Sequence, residues 1–171
     1  VWGQCVDLGG DAMPYTPFLP VLRTIAADLG GQGVDEAVGL GRGELARLLP
    51  ELGSPAAGVE SEVGRGRLFE AVARLLEHAA VERPLVVVLE DLHWADASTR
   101  ELVSFLVRTL DDARVLLVAT FNLSFITSKS GQIIGFISRG AFDLDVVDAA
   151  APCDRDFGLG FAVVALLNFL V

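Results

Sequence analysis

Apolar residues recur every three or four positions along several stretches of the chain, a spacing that predicts helices with one buried face. The first helix is predicted over residues 17–29, and the glycine pair that follows ends its pattern. Residues 30–43 are rich in glycine and predict a linker. Two more helices are predicted over residues 44–52 and 67–80.

Two runs of five consecutive apolar residues predict strands, over residues 85–89 and 115–119. Their high content of Val and Leu favours strands buried on both faces, as in a parallel sheet. Between them, Asp96 is predicted to cap a helix whose apolar stripe runs to Leu110, and residues 98–101 (STRE) match a capping box. A strand, a helix and a strand in this order form a βαβ unit, which places both strands in one sheet. The predicted fold class is therefore α/β.

The composition of the 171 residues is that of a folded globular domain, with 52% hydrophobic and 21% charged residues. The formal net charge is −10, and this negative balance opposes direct binding to the phosphates of nucleic acids. Cys5 and Cys153 are far apart and belong to no Cys-x-x-Cys motif, so neither a disulfide framework nor a zinc site is predicted. The first residues read as part of a strand and lack the basic flank of a signal peptide, and the expected location is cytoplasmic.

The composition of the chain changes near residue 120. Residues 1–120 contain 10 Arg, no Lys and 3 Phe, whereas residues 121–171 contain 2 Arg, 1 Lys and 7 Phe. We expect a domain boundary here, with a frame change, recombination or misassembly of the coding sequence as the first explanation and an ordinary second subdomain as the alternative. For the apolar residues 157–171, frame-altered sequence is the first explanation, a core segment the second and a membrane anchor the third. The anchor ranks last because these 15 residues fall short of the roughly 20 that span a bilayer.

An acidic pair, Glu90 and Asp91, directly follows the first apolar strand. Carboxylates at the carboxyl end of a parallel strand face the crevice in which open α/β sheets bind ligands. Oxygen ligands suit a hard cation, and in nucleotide-hydrolysing folds this is the Walker B position, where one acid lies near the Mg²⁺ and the next beside the attacking water. The alternative is a structural one, because any buried strand that enters a solvated loop can end in two acids.

Residues 85–96 (LVVVLEDLHWAD) resemble the Walker B segment of STAND- and AAA-type signal-transduction ATPases, and most of all the ATPase domain of large ATP-binding LuxR-family transcriptional regulators. Residues 13–23 (MPYTPFLPVLR), 44–52 (ELARLLPEL) and 64–77 (GRGRLFEAVARLLE) resemble the helices that precede that segment in the family. The resemblance covers residues 1–120. It implies a partial P-loop NTPase-type parallel sheet with flanking helices, incomplete at its N-terminus, followed by a divergent segment.

The resemblance also implies a function. The intact protein would bind ATP with Mg²⁺ and hydrolyse it to control a transcriptional or signalling output, with self-association as part of that control. The alternative function is that of a non-catalytic protein-interaction module, in which the Walker B segment is only a relic.

Individual residues receive roles from the same resemblance. Glu90 would lie nearer the Mg²⁺ shell and Asp91 would orient the hydrolytic water, or the two roles would be reversed. His93 would read the γ-phosphate or hydrogen-bond a backbone carbonyl. Trp94 would pack in the core, with stacking on a base as the alternative. Asn122 would take the polar position after the sensor strand, where many relatives carry an Arg, and it would supply a hydrogen bond but no positive charge.

A phosphate-binding loop of the form GxxxxGKS or GxxxxGKT does not occur in these 171 residues. Such a loop needs glycines whose N–H groups hold the phosphates and a Lys that reaches the β- and γ-phosphates. Lys129 is the single lysine of the sequence, it follows the acidic pair, and no such glycines precede it. We therefore expect the chain to be a fragment that does not hydrolyse ATP alone.

Overall fold

The structure, a computed structural model, describes residues 1–6, 13–56, 62–110, 112–122 and 161–167. This part of the chain contains both strands and helices. Their order is β1 (Trp2–Gln4), α1 (Phe18–Val38), α2 (Arg42–Leu45), α3 (Glu62–Ala79), β2 (Leu85–Glu90), α4 (Ala97–Thr109), β3 (Val115–Asn122) and β4 (Phe161–Leu167).

The strands form one sheet in the order β1-β2-β3-β4. The first three strands are parallel, with Trp2 opposite Val88 and Leu89 opposite Ala119, whereas β4 runs antiparallel to β3. The predicted βαβ unit is confirmed, because α4 connects the parallel strands β2 and β3. The predicted α/β class is confirmed with it, as is a strand at the first residues.

One face of the sheet packs against the helices. In β2, Val87 and Leu89 are buried, whereas Val86 is 43% exposed and Val88 is partly exposed. The same alternation continues in β3, where the buried residues are Val115, Leu117 and Ala119. The prediction that both strands are buried on both faces is therefore wrong within the described residues, because the hydrophobic core with the helices lies on one side of the sheet.

A close approach joins β1 to the beginning of α1. A Cβ atom on Gly3 would lie 1.7 Å from the carbonyl oxygen of Pro17, a distance that no side chain can occupy. The glycine thus allows the strand to run directly beneath the first turn of the helix.

The helix α1 continues beyond the predicted stop at the glycine pair. Gly30 leaves the helical conformation, with φ 67° and ψ 175°, but the chain returns to a helix up to Val38. Val34 and Val38 lie four residues apart and are both buried, so tertiary packing compensates for the low helix propensity of the glycines. The prediction of a linker over residues 30–43 is therefore wrong for most of its length.

The predicted helix over residues 44–52 is only partly formed. α2 ends at Leu45, and a short 3₁₀ turn follows over Pro50–Leu52. Pro50 explains the interruption, because a proline disfavours the helical conformation of the residue before it, and Leu49 has φ −126° and ψ 84°. Leu45 and Leu49 are nevertheless buried, as their apolar spacing predicts.

The two later helices agree closely with the sequence pattern. α3 spans Glu62–Ala79 and so begins five residues before the predicted start. Of the predicted apolar stripe, Leu68, Val72, Leu75 and Leu76 are buried and Ala79 is partly buried. Asp96 caps α4 as predicted, since its side chain accepts a hydrogen bond from the N–H of Thr99. The capping box over residues 98–101 is wrong, because the helix already begins at Ala97 and Glu101 pairs with Arg65 at 2.9 Å.

Part of the C-terminal apolar stretch is a strand. Phe161–Leu167 forms β4, and the other residues of 157–171 lie outside the described part, so the core-segment alternative stays a prediction. The frame-altered origin of residues 121–171 stays a prediction, as does the boundary at residue 120. No helix among the described residues is long and apolar enough to cross a membrane. Lys129 and Cys153 also lie outside the described residues.

Candidate functional site

The carboxyl ends of the three parallel strands meet at one edge of the sheet. Gln4 of β1 is opposite Glu90 of β2, and Thr120 of β3 follows Ala119, the partner of Leu89. Each of the three strands thus carries a polar residue at its carboxyl end, and the strand register places these residues next to one another. This edge is where open parallel sheets place their ligands.

The chain turns sharply at the second acid of the pair. β2 ends at Glu90, and Asp91 adopts the left-handed conformation, with φ 55° and ψ 40°. Aspartate tolerates this conformation better than most residues other than glycine. A 3₁₀ turn over Leu92–Trp94 follows, and the N–H of Trp94 donates to the carbonyl oxygen of Asp91 at 2.8 Å. The turn leaves both acids partly exposed at the edge of the sheet.

Both neighbouring strands hold the peptide that links the two acids. The carbonyl oxygen of Glu90 accepts a hydrogen bond from the N–H of Cys5 at 2.9 Å, on the β1 side. The N–H of Asp91 donates to Oγ1 of Thr120 at 3.0 Å, on the β3 side. Nε2 of Gln4 also approaches Oδ2 of the Asp91 carboxylate, at 3.4 Å. The second acid is therefore fixed through its backbone and contacted through its side chain.

The thiol of Cys5 lies in the same negatively charged environment. Burial, with smaller contributions from the negative charges of Asp91 and Asp96, raises the pKa of the Cys5 thiol from its usual 9.0 to about 12. The side chain is buried and forms no disulfide. The thiol is therefore protonated at neutral pH and unsuited to act as a nucleophile.

Asp96 has a separate structural role at the beginning of α4. Its Oδ1 accepts from the N–H of Thr99 at 3.0 Å, and its Oδ2 accepts from the hydroxyl of the same residue. The fully buried hydroxyl of Thr99 in turn accepts from the N–H of Tyr15 at 2.9 Å. Both carboxylate oxygens of Asp96 are thus engaged, which distinguishes it from the acidic pair.

The acidic pair fits a Mg²⁺ ion that is shared with phosphates. No group of three or more His, Cys, Asp or Glu side chains gathers into a metal site in the described part of the chain. A site built entirely from protein ligands is therefore not formed by these residues. Mg²⁺ bound beside a nucleotide needs only one or two carboxylates, because phosphates and water complete its shell, and the partly exposed Glu90 and Asp91 meet this requirement.

The backbones of the other two predicted site residues also lie near the carboxyl ends of β2 and β3. His93 belongs to the turn that follows the acids, and Asn122 is the last residue of β3. The side chains of both lie outside the description, so their predicted contacts with a nucleotide stay predictions. Trp94 packs partly buried against the core, as predicted.

Sequence reasoning did not identify two residues that contact Asp91, namely Gln4 and Thr120. Thr120 carried a usable signal, because it is the first polar residue after an apolar strand that is predicted to pair with β2. Gln4 carried no comparable signal, since it lies in a three-residue strand with no clear apolar run. Its approach to Asp91 depends on the pairing of segments 87 residues apart.

Comparison with known proteins gives one match. Residues 1–118 of the 171 match the sequence model of a family described as the AAA ATPase domain. The searches of curated proteins and of solved structures give no match. The three parallel strands and their helices are consistent with a partial fold of the P-loop NTPase type, the class to which that family's name points.

Proposed function

The chain belongs to the AAA ATPase domain family, and from this premise we propose that Glu90 and Asp91 form the acidic part of its Mg²⁺–ATP site. The observation that carries the proposal is the Glu90–Asp91 peptide, which is held between two strands at the carboxyl edge of a parallel sheet. Family membership supports ATP binding in general. The assignment to these two residues is ours.

Each acid receives a distinct role in this proposal. Bound Mg²⁺ would neutralise charge on the ATP phosphates, and Glu90 would contribute an oxygen to its shell. Asp91 would accept a hydrogen bond from the attacking water and orient it, which requires an ionised carboxylate held in a fixed direction. The contacts of Asp91 with Thr120 and Gln4 support this role, because the first fixes its backbone N–H and the second approaches its carboxylate.

We further assign His93 and Asn122 to the nucleotide side of the site. His93 lies two residues after Asp91 in the turn, and Asn122 lies at the end of the neighbouring strand. Either side chain can supply a hydrogen bond to a phosphate oxygen. Asn122 supplies no positive charge, so charge stabilisation would have to come from Mg²⁺ and from basic groups elsewhere.

The phosphate-binding loop of the proposed site would come from outside these 171 residues, since the sequence contains no GxxxxGKS or GxxxxGKT. We accordingly place hydrolysis in the full-length protein. We propose that nucleotide state there controls self-association and a transcriptional or signalling output in the cytoplasm. The likeness of residues 85–96 to the LuxR-family regulators supports this output, and the net charge of −10 argues against nucleic-acid binding by this segment itself.

Substitution of the two acids in the full-length protein tests the proposal. Asp91→Asn replaces the carboxylate with an amide of nearly the same size, and we expect kcat for ATP hydrolysis to fall about 100-fold or more. Glu90→Gln should raise the Mg²⁺ concentration needed for half-maximal activity. Glu70→Gln is the matched control, because Glu70 lies on the exposed face of α3, where it pairs with Arg74.

Phosphate release at saturating Mg²⁺ measures the first effect, and phosphate release over a series of Mg²⁺ concentrations measures the second. Unchanged hydrolysis in Asp91→Asn would refute the role of the acidic pair. If the protein also bound a protein partner equally well with and without ATP, the non-catalytic interaction module would replace the proposed function.

A further inference from the structure

The backbone ladder between β2 and β3 ends immediately before the turn at the acids. Pairing runs from Leu85 with Val115 to Leu89 with Ala119. Asp91 then adopts the left-handed conformation, but its N–H still lies on the side of β3. The hydroxyl oxygen of Thr120 accepts this N–H at 3.0 Å. A side chain of β3 thus takes over the role of the backbone at the point where β2 ends.

The left-handed conformation of Asp91 needs such an interaction. Residues other than glycine rarely adopt it, and surrounding contacts must select it over the extended alternative. On the preceding side, the N–H of Cys5 fixes the carbonyl oxygen of Glu90, so the Glu90–Asp91 peptide cannot rotate without breaking a hydrogen bond on each side. Of these two hydrogen bonds, the one to Thr120 involves a side chain, and the one from Cys5 involves only backbone atoms.

The direction of the Asp91 carboxylate follows from this backbone conformation. Its Oδ2 lies 3.4 Å from Nε2 of Gln4 on β1. In the extended conformation, successive side chains alternate between the two faces of a sheet, so a change at Asp91 would turn the carboxylate elsewhere. The hydroxyl of Thr120 therefore acts on the acid through the peptide and not by touching the carboxylate.

We propose that Thr120 is a positioning residue, whose hydroxyl holds Asp91 in the left-handed conformation and so directs its carboxylate toward the attacking water. This inference rests on the proposed function for its catalytic consequence. The structural part, a hydroxyl that fixes one peptide, can be measured without any nucleotide.

Two substitutions at this position separate the hydroxyl from the shape of the side chain. Thr120→Val keeps the branched shape and removes the acceptor, whereas Thr120→Ser keeps the hydroxyl. We expect Thr120→Val to accelerate hydrogen exchange at the Asp91 amide at least tenfold and to lower kcat by about 10- to 100-fold, with KM for Mg²⁺–ATP within about twofold. Thr120→Ser should restore both values to near those of the parent protein.

The matched control is Thr24→Val, which removes a hydroxyl from the exposed face of α1, where it donates to the carbonyl oxygen of Pro20. This control should change neither amide exchange at Asp91 nor kcat. Thermal unfolding of each full-length variant verifies that it is folded.

The possible outcomes distinguish the two proposals. Unchanged exchange at Asp91 in Thr120→Val overturns the positioning role, and so does faster exchange with unchanged kcat when Asp91→Asn is inactive. Full hydrolysis by Asp91→Asn instead refutes the proposed function, and the exchange measurement then still decides whether Thr120 holds this peptide.

Discussion

At the scale of one residue, the environment beside the acidic pair changes the pKa of the Cys5 thiol. The residue follows β1, its N–H bonds the carbonyl oxygen of Glu90, and its side chain is 4% exposed. Burial is the largest cause of its raised pKa, and the nearby carboxylates of Asp91 and Asp96 act in the same direction. The pKa of this thiol therefore depends on its burial and on the carboxylates of Asp91 and Asp96.

The Cys5 thiol should make stability depend on pH in the alkaline range. The folded protein holds the proton up to a pKa of about 12, whereas the unfolded chain releases it near the usual 9.0. Above pH 9 the unfolded state binds fewer protons, so the free energy of unfolding should fall as pH rises from about 9 toward 12. Denaturant titrations at several pH values measure the slope.

Cys5→Ala is the control for this prediction, because it removes the titrating group, and its slope should be shallower than that of the parent protein over the same pH range. Equal slopes in the two proteins would show that the thiol ionises at the same pH in the folded and unfolded states.

At the scale of one element, the N-terminus of α4 combines a cap with a long-range connection. Asp96 caps the helix through the N–H of Thr99, and the hydroxyl of Thr99 links the cap to the backbone of Tyr15. Tyr15 itself has φ 64° and packs edge-to-face on Phe69 of α3, with ring centroids 6.1 Å apart. The cap therefore joins α4 to the segment before α1 and not only to its own first turn.

Removal of this cap should lower the free energy of unfolding more than removal of Glu101, the acid of the predicted capping box. Asp96→Ala deprives a fully buried hydroxyl of its acceptor and a helix of its cap, and we expect a loss of about 1–3 kcal/mol in the free energy of unfolding. Glu101→Ala removes an exposed ion pair with Arg65, so its cost should stay below about 1 kcal/mol. Urea denaturation of both variants measures the difference, and a larger loss in Glu101→Ala would contradict the role of Asp96 as the stabilising cap.

At the scale of the whole molecule, the described helices cover one face of the sheet. The other face presents apolar residues, among them Trp2 with 60% exposure and Val86 with 43% exposure. A parallel sheet is usually covered on both faces, and the continuous apolar runs of β2 and β3 follow that rule in sequence. The sequence pattern therefore predicts that shortening a side chain on either face lowers the free energy of unfolding. The structure predicts a large loss only on the face that packs against the helices.

Paired substitutions in β2 test this one-sided burial. Val87→Ala removes buried methyl groups and should lower the free energy of unfolding by about 2 kcal/mol. Val86→Ala makes the same chemical change on the open face and should cost less than about 1 kcal/mol. Chemical denaturation of the two variants measures the ratio, and equal losses would show that the second face is also buried.

The sequence alone was sufficient for features that depend on neighbouring residues. The five-residue apolar runs predicted β2 and β3, the spacing of Leu68 and Val72 predicted α3, and Asp96 was identified as a cap, because periodicity and capping are local properties of the chain. The position of the acidic pair at the carboxyl end of β2 was equally readable. Local patterns failed where packing outweighed propensity, as in the glycine-rich stretch that continues as a helix to Val38.

Only the tertiary structure decided which groups surround the acids. Gln4 and Thr120 are 87 and 29 residues from Asp91, and their contacts depend on the register of three paired strands. The left-handed turn at Asp91 and the one-sided burial of β2 likewise depend on what packs against the strand. A local pattern fixes which residues can be buried or can end a strand, but strand pairing between distant segments determines which side chains meet at its end.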